Sequence, residues 1–403
     1  MLPIVFMSNE QGAPTLNNAA GSLISVLKAC LVTGFNNVGI TSVTIAGNVA
    51  TVVTNANHGL TVGQRATVAG VSITAANGDK TVASVPNVTT FTYPCVNSDV
   101  SESPVSASVK RTPLGWIEKF SKTNVSMFKS SDPAAYGQSL RVDDTSTTTG
   151  ARVIGVENPT GIDTWADKFP LETQMAGGGY WLKGAYTAAA KAWCIVGDER
   201  FFYFLVENST QSNYYGTGSG NSQYWSFNPF HFGDIVSYKN SESFGAVLGC
   251  MVGAGGVSNS QQSGLLVHNN LGSPNTSNGH WIARQQSAVA KSIYITTSFF
   301  GGLSPGVAAQ PRYPSPVDNG LIITEPVLVS EYLPYANNPV RGVMPGLAGF
   351  MTYGQDLPQN PFPMLMTTTD GSNRTYLYSP RASGSAPNSN EQIFAVKLSE
   401  AWR

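Results

Sequence analysis

Charged side chains are scarce in this sequence of 403 residues. Asp, Glu, Lys and Arg make up 12% of the chain, and 23 basic against 24 acidic residues leave a formal charge of −1 at pH 7. About a quarter of an ordinary globular chain is charged. Proteins that bind nucleic acid or an anionic membrane surface need an excess of Lys and Arg. The charge balance therefore excludes nucleic acid as a main partner and a polybasic role at a membrane surface.

Cysteine and histidine are also rare. The four cysteines lie far apart and form no Cys-x-x-Cys pair: Cys30, Cys95, Cys194 and Cys250. None of the four histidines has an acidic residue or a second histidine four positions further on: His58, His231, His268 and His280. The spacings of zinc sites are absent. We therefore predict four buried thiols, no metal site and no cofactor.

Long apolar runs are missing as well. The apolar start of the chain, residues 2–6, is too short for the core of a signal peptide and follows no basic segment. No uninterrupted apolar stretch approaches the roughly 20 residues that span a bilayer. We expect a protein that is made in a reducing cytosol and does not insert into membranes.

Glycine and proline, by contrast, are abundant, with 41 and 24 residues, and they favour a chain with many turns. Hydrophobic residues make up 41% of the chain, which is enough for a sizeable core. From residue 113 onward most apolar runs are short and β-branched, as at 151–157 and 292–300, which favours strands. We predict an all-β protein in which residues 113–403, with 1–36, form a β-sandwich host domain.

One helix is predicted near the N terminus, over residues 21–35. Ser22 precedes the apolar residues as an N-cap and Gly34 follows them as a stop signal. The apolar residues recur at helical spacing: Leu23, Val26, Leu27, Cys30 and Leu31. Because this stripe lasts only about two heptads and lacks flanking charges, it favours packing against a sheet over a coiled coil.

A separate module is predicted between residues 37 and 112, where the pattern changes to alternating Thr and Val. A hairpin turn at residues 46–48 is followed by short strands at about ten-residue spacing. Five or six such strands are typical of a small immunoglobulin-like domain. The end of the helix at residues 31–36 precedes the module, and an aromatic-rich segment of a different style follows it at residues 114–120. We therefore predict an immunoglobulin-like β-module inserted into the host domain.

The sequence holds no nucleotide-binding signature. Residues 302–306 match Gly-x-Ser-x-Gly formally, but Pro305 stands where a nucleophile elbow needs a backbone N–H for its oxyanion hole.

Two carboxylates that meet in space would serve a glycosidase. The candidates are Asp143, Asp144, Asp198, Glu199 and Asp234. Turns explain the two adjacent pairs better, because Asp side chains in turns accept backbone hydrogen bonds. We predict no catalytic residue and no enzyme activity.

A polar segment between residues 207 and 227 is rich in aromatic side chains. Tyr214, Tyr215, Tyr224 and Trp225 stand among Ser, Asn, Gln and Gly. Binding surfaces use this composition because aromatic rings give contact area at low entropic cost. We predict these four residues as a ligand-binding site for a glycan or, alternatively, as part of a subunit interface.

Four segments are the most distinctive in the chain: GWIEKF at 115–120, FKSSDP at 128–133, LRVDDT at 140–145 and FGDIVSYK at 232–239. Together with GAPTLNNAAGSLISVLKACLVTGF, GGGYWLK, VGDERFFYFLVE and RGVMPGL, they resemble, in the same order, a family of uncharacterised structural proteins from tailed bacteriophages and prophages. Separately, residues 45–93 are similar to a small β-module that recurs in phage tail and other virion proteins. The resemblance assigns no functional residue.

The resemblance implies a structural component of a phage virion, in the tail, baseplate or neck. Such a protein is made in the bacterial cytoplasm, forms a homo-oligomer and docks on other virion proteins. One alternative is an adhesin that binds a host-surface polysaccharide through residues 214–225, and another is a capsid decoration protein. A depolymerising enzyme is the least favoured alternative, because the sequence lacks the regular short repeats of a β-helix.

Overall fold

The structure is a computed structural model in which almost all regular structure is antiparallel β-sheet. It describes residues 1–145, 149–184, 188–207, 227–239, 243–251, 278–284, 291–299, 323–331, 339–350, 363–368, 374–381 and 392–403. Within these ranges there is one short α-helix. The predicted all-β fold of sandwich type with an N-terminal helix is confirmed.

The first part of the chain contains the helix and nine strands. In chain order the elements are β1 (Ile4–Met7), α1 (Ser22–Lys28), a π-helical turn (Ala29–Thr33), β2 (Phe35–Ala46), β3 (Val49–Thr54), β4 (Arg65–Ala69), a 3₁₀ turn (Thr74–Ala76), β5 (Gly78–Thr81), β6 (Ser84–Asn87), β7 (Thr90–Pro94), β8 (Val100–Glu102) and β9 (Ser108–Arg111).

Further strands follow in the rest of the described chain. The first group is β10 (Trp116–Lys122), β11 (Val125–Ser130), β12 (Ser139–Asp143), β13 (Gly150–Glu157), β14 (Asp167–Phe169), β15 (Gly179–Leu182), β16 (Trp193–Gly197), β17 (Phe201–Glu207), β18 (Phe227–Asp234), β19 (Val236–Ser237) and β20 (Ala246–Met251). The second group is β21 (Asn278–Arg284), β22 (Lys291–Phe299), β23 (Ile323–Thr324), β24 (Val327–Glu331), β25 (Val340–Val343), β26 (Leu347–Phe350), β27 (Met364–Thr367), β28 (Thr375–Arg381) and β29 (Gln392–Lys397).

The chain divides into two compact units. The smaller unit consists of Phe6–Thr15 and Ser25–Trp116, and the larger one of Met1–Val5, Leu16–Ile24 and Ile117–Arg403. The predicted limits of the inserted module, 37 and 112, fall inside the smaller unit. These limits stay a prediction.

The smaller unit is built from two antiparallel sheets that share the long strand β2. Its first half pairs with β9, which continues through β4 to β5, and its second half pairs with β8 and β3, which continues through β7 to β6. Gly47 and Asn48 connect β2 to β3 with φ values of 57° and 63°. Two central residues with positive φ make the two-residue hairpin turn that matches the strand twist, so the predicted hairpin is confirmed.

The core of the smaller unit is made of the inward-facing side chains of these strands. Alternate residues of β3 and β7 are buried, as expected for strands with one face on a core. The largest members of this core are Phe91 and Tyr93, and the Tyr93 hydroxyl donates to the Ala76 carbonyl oxygen at 2.8 Å. The polar end of this ring is therefore satisfied inside the core.

The larger unit is dominated by one extended antiparallel sheet that branches at β20. One arm runs β10-β11-β12-β13-β15-β20, the other runs from β20 through β18 and β17 to β16 and β1, and the sheet continues from β20 through β21, β22 and β24 to β25 and β19. A second sheet has the order β23-β26-β29-β28-β27. Aromatic side chains of the two arms meet, since Trp181 of β15 contacts Phe202, Phe204 and Phe230.

Strand β17 is covered on both faces, which explains its continuous apolar sequence. Phe202 and Phe204 contact the Trp181 ring of β15 at centroid distances of 5.9 and 5.8 Å. On the opposite face, Phe201 and Tyr203 lie 6.4 and 5.9 Å from the ring of Trp402. Because both faces are buried, the strand has no polar alternation.

Cross-strand glycines make room for rings in the larger unit. Gly249 of β20 lies directly opposite His231 of β18, and a Cβ at this position would lie 2.2 Å from His231 Cε1. His231 in turn stacks on Phe201 with a centroid distance of 5.9 Å. The neighbours of this ring are themselves buried, so a Cβ at position 249 must displace packed side chains.

We expect Gly249→Ala to lower the free energy of unfolding by about 1–3 kcal/mol, the usual cost of forcing extra volume into a packed core. Urea denaturation followed by tryptophan fluorescence measures this change. Gly161→Ala is the matched control, because a Cβ there meets nothing closer than Thr164 Oγ1 at 3.7 Å. Equal stability of the two variants would contradict the packing argument.

Candidate functional site

The predicted aromatic site lies outside the described residues. Tyr214, Tyr215, Tyr224 and Trp225 all fall in the range 208–226, and the Gly-x-Ser-x-Gly match at 302–306 falls in the range 300–322. The aromatic site and the non-catalytic interpretation of residues 302–306 both remain predictions. The carboxylates that the sequence singled out, by contrast, are all described.

Asp143 forms the local turn that the sequence predicts. It ends β12, and its Oδ1 accepts hydrogen bonds from the backbone N of Thr145 at 3.3 Å and from Thr145 Oγ1 at 2.7 Å. Its other oxygen lies 3.3 Å from Arg141 Nη2. Both oxygens of this carboxylate therefore have structural partners.

Asp144 has a different role, which the sequence analysis missed. Its side chain is fully buried and forms an ion pair with the fully buried Lys183. Its Oδ2 accepts the backbone N–H of Leu23 at 2.8 Å, in the first turn of α1. Its own backbone N–H donates to the Asn124 carbonyl oxygen at 2.8 Å. Asp144 thus joins β12, the start of the helix and the residue that follows β15.

The expectation that Ser22 caps the helix is wrong. Ser22 is the first helical residue, and its hydroxyl donates to the Asn17 carbonyl oxygen at 2.6 Å. The cap comes from Asp144, which is 121 residues away from Leu23 in sequence. A carboxylate is the better partner for helix N–H groups, because it adds charge to the hydrogen bond.

The electrostatics of Asp144 reflect two opposing effects. Burial raises the pKa of Asp144, because the charged form loses its hydration. The amine of Lys183 and the N–H groups of Leu23 and Ile24 oppose this rise. Desolvation is the larger effect, so the carboxyl group accepts a proton more readily than in water.

A second group of charged residues surrounds the hairpin turn between β16 and β17. Asp198 Oδ1 accepts the backbone N–H groups of Arg200 and Phe201, each at 2.8 Å, which is the turn predicted from the sequence. Asp198 Oδ2 lies 3.4 Å from Arg403 Nε. Arg403 also donates through both terminal nitrogens to the backbone oxygen of Asp234, at 3.1 Å each.

Asp234, at the end of β18, is the most strongly perturbed carboxyl group of this set. Its Oδ2 accepts the backbone N–H of Tyr136 at 2.8 Å. Burial raises the pKa of Asp234 to about 6, and the negative charge of Asp198 adds to the rise. The same pKa is lowered by the Tyr136 N–H and by the charges of Arg403 and Arg200.

Asp198 and Asp234 are enclosed by the protein, with exposures of 1% and 4%. Glu199, in the same turn, accepts from the amino group of Met1 at 3.3 Å. Two carboxyl groups of a glycosidase must flank a substrate bond and reach water. The enclosed pair instead accepts hydrogen bonds from the surrounding turn and from Arg403.

All four cysteines and His58 are buried in the protein interior. None of the cysteines forms a disulfide, so the prediction of four buried thiols is confirmed. His58 Nδ1 accepts the backbone N–H of Leu60 at 3.0 Å, and its ring lies edge-on to Phe91. The described ranges contain no group of three or more His, Cys, Asp or Glu residues arranged to hold a metal ion. Nor does any helix in them combine the length and the apolar character needed to cross a membrane.

One surface cluster escaped the sequence analysis. Residues 158–166 lie over a face of the β10–β13 sheet, where Trp165 and Phe120 are half-buried on the small apolar core of Met127, Ile154 and Val156. Arg141 stacks on Trp165 at 5.8 Å and binds Asp163 at 2.7 Å. The rings come from separate segments, so no local sequence pattern reveals the cluster.

Comparisons with known proteins are sparse. No protein-family model matches the chain, and no curated protein matches its sequence. The chain has a weak likeness to the solved structure of the phage phi92 endosialidase, at 13% sequence identity and a TM-score of 0.16. The match covers 90% of this chain and 51% of the endosialidase chain, so this chain spans about half the length of that protein. This likeness is too weak to assign an activity.

The raised pKa of Asp234 predicts a measurable pH dependence. Its folded-state value of about 6 exceeds the ordinary 3.8, so the folded protein binds more protons between these values and its stability falls as the pH rises through 6. We compare Asp234→Asn with the wild type by the difference between their free energies of unfolding, variant minus wild type. This difference should be about 2 kcal/mol larger at about pH 7.5 than at about pH 4.5. Urea denaturation at both pH values measures this difference.

Asp163→Asn is the control for this pH range. Lys122 and Arg141 hold the pKa of Asp163 below its usual range, so its charge stabilises the folded state once the pH exceeds the unfolded-state value, and this stability is lost only as the pH falls below that value. Both measured pH values lie above it, so for this variant the same difference should stay nearly constant. A difference that does not depend on pH for Asp234→Asn would show that this carboxyl group titrates normally.

Proposed function

We propose that the protein is a structural component of a tailed-bacteriophage virion, in the tail, baseplate or neck. It acts through homo-oligomeric assembly and docking on other virion proteins, and it is not an enzyme. The starting point is the resemblance of its distinctive segments to phage structural proteins. The all-β architecture in two compact units is compatible with such a part.

The positions of those segments in the fold are the observation that carries the proposal. In LRVDDT, Asp144 is a buried partner of Lys183 and a helix cap. In FGDIVSYK, Asp234 is enclosed and binds the Tyr136 N–H. In FKSSDP, Asp132 binds Arg200 at 2.6 Å. The polar residues of the most specific segments therefore hold the larger unit together, as expected when a sequence signature reflects architecture.

The scarcity of charged residues and the net charge near zero support the same proposal. The formal charge is −1, and a net charge near zero promotes self-association. Ion pairs such as Arg341–Glu331 and Lys183–Asp144 are buried, which removes further charges from the surface. A neutral polar surface suits a protein that packs against identical copies and other virion proteins.

The direct test is the protein content of purified phage particles. We expect mass spectrometry of gradient-purified virions to detect this chain, and cryo-electron microscopy to place it in a symmetric ring of the tail, baseplate or neck. One copy on every capsid subunit would instead make it a decoration protein. Particles that lack the chain would overturn the proposal.

A host-surface adhesin is the second candidate, favoured by the composition of residues 214–225. If these aromatic residues bind a polysaccharide, particles carrying Tyr224→Ala and Trp225→Ala should assemble normally but lose adsorption to host cells. Tyr238→Ala is the matched control, because Tyr238 is an exposed aromatic residue outside that segment. Normal adsorption of the double variant would remove the adhesin role and leave the structural one.

A further inference from the structure

Lys183 is a fully buried amine in the larger unit. It directly follows β15, and its partner Asp144 directly follows β12. Strand β13 lies between these two strands in the sheet. The contact between Lys183 Nζ and Asp144 Oδ1 therefore spans three neighbouring strands at one end of the sheet.

The surroundings of the pair place a nucleophile beside a polarised carboxyl group. Lys183 Nζ contacts Asp144 Oδ1 and donates to the Ala19 carbonyl oxygen at 2.9 Å, which fixes the direction of the amine. The other carboxyl oxygen, Oδ2, accepts the N–H of Leu23 at 2.8 Å, and the N–H of Ile24 also binds this carboxyl group. A backbone donor on the carboxyl oxygen stabilises the negative charge that develops there during addition to a carbonyl carbon.

Such an addition needs a proton to move from Lys183 Nζ to Asp144 Oδ1. Separated charges lose their hydration when both partners are fully buried, and burial raises the pKa of Asp144. A proton that moves from Lys183 Nζ to Asp144 Oδ1 leaves a neutral amine next to a neutral carboxylic acid. A neutral amine is a nucleophile, whereas an ammonium group is not.

We propose that Lys183 and Asp144 condense into an intramolecular isopeptide bond. The lone pair of Nζ attacks Asp144 Cγ, and the electrons of the carbonyl bond move to Oδ2, where the Leu23 N–H holds the negative oxygen. Oδ1, protonated by Nζ, takes a second proton from Nζ and leaves as water while the carbonyl re-forms. One C–N bond forms, one C–O bond breaks and one water is released, with no oxidant or other reactant.

Other ion pairs of the described chain lack this combination. Lys397 Nζ lies 3.0 Å from Glu325 Oε2, but both side chains are partly exposed to water, so this pair is not closed off from solvent. The Arg341–Glu331 pair is as deeply buried, but a guanidinium does not lose its proton in a protein and is no nucleophile. Among the ion pairs of the described residues, a lysine and complete burial of both partners occur together at Lys183 and Asp144.

The test is the covalent mass of the purified wild-type protein. We expect the denatured chain to be one water lighter than its sequence predicts. Trypsin should release residues 142–152 joined to residues 169–191, with Lys183 uncleaved, and fragmentation should locate the link between Asp144 and Lys183. A wild-type mass equal to the sequence mass, with 142–152, 169–183 and 184–191 released as separate peptides, would overturn the proposal.

Two controls accompany this measurement. Lys183→Met removes the amine and should restore the full sequence mass, even if the variant is less stable, because the mass is read on the denatured chain. Lys397 is the internal control in the wild-type digest, where cleavage after it shows that proximity to a carboxylate alone does not block trypsin. A water loss that persists in Lys183→Met would place the modification elsewhere and contradict the assignment. The inference does not depend on the proposed function.

Discussion

The buried contact between Asp144 and Lys183 joins the ends of strands β12 and β15 to the start of α1. Both side chains are fully buried, and the carboxylate also holds the first turn of α1 through the N–H of Leu23. Burying two charges costs several kcal/mol unless each finds further hydrogen bonds. Here the partners are the helix N–H groups on one side and the Ala19 carbonyl oxygen on the other. The order of strands β12, β13 and β15 therefore has an electrostatic anchor in addition to its backbone pairing.

The same principle extends through a chain that has few charges. The smaller unit contains its own enclosed pair, in which Arg111 Nε binds Glu10 Oε2 at 2.7 Å and the guanidinium stacks on Phe6 at 5.0 Å. In the larger unit Arg284 binds the buried Glu157. Breaking such pairs leaves an uncompensated buried charge, so these residues specify which segments meet. Charges used in this way are withdrawn from the surface.

Much of the fold could be predicted because it depends on local patterns. The hairpin at Gly47 and Asn48 follows from turn chemistry, and the helical stripe from Leu23 to Leu31 follows from apolar spacing. The helix itself is shorter than predicted, ending at Lys28 before a π-helical turn, because propensity sets the ends of a helix less firmly than its existence. Strand β17 has a continuous apolar sequence, but its burial on both faces depends on Trp181 and Trp402, which are distant in sequence.

The sequence by itself determined the all-β class, the helix, the hairpin and the absence of the common catalytic and metal-binding signatures, because each depends on residues close together in the chain. Only the tertiary structure decided which carboxylates matter and how. Asp143 and Asp144 are adjacent in sequence, yet one completes a local turn and the other is a buried partner of a lysine and a helix. That difference arises because alternate residues at the end of a strand point to opposite sides, and only the packed neighbours determine which side is closed to water.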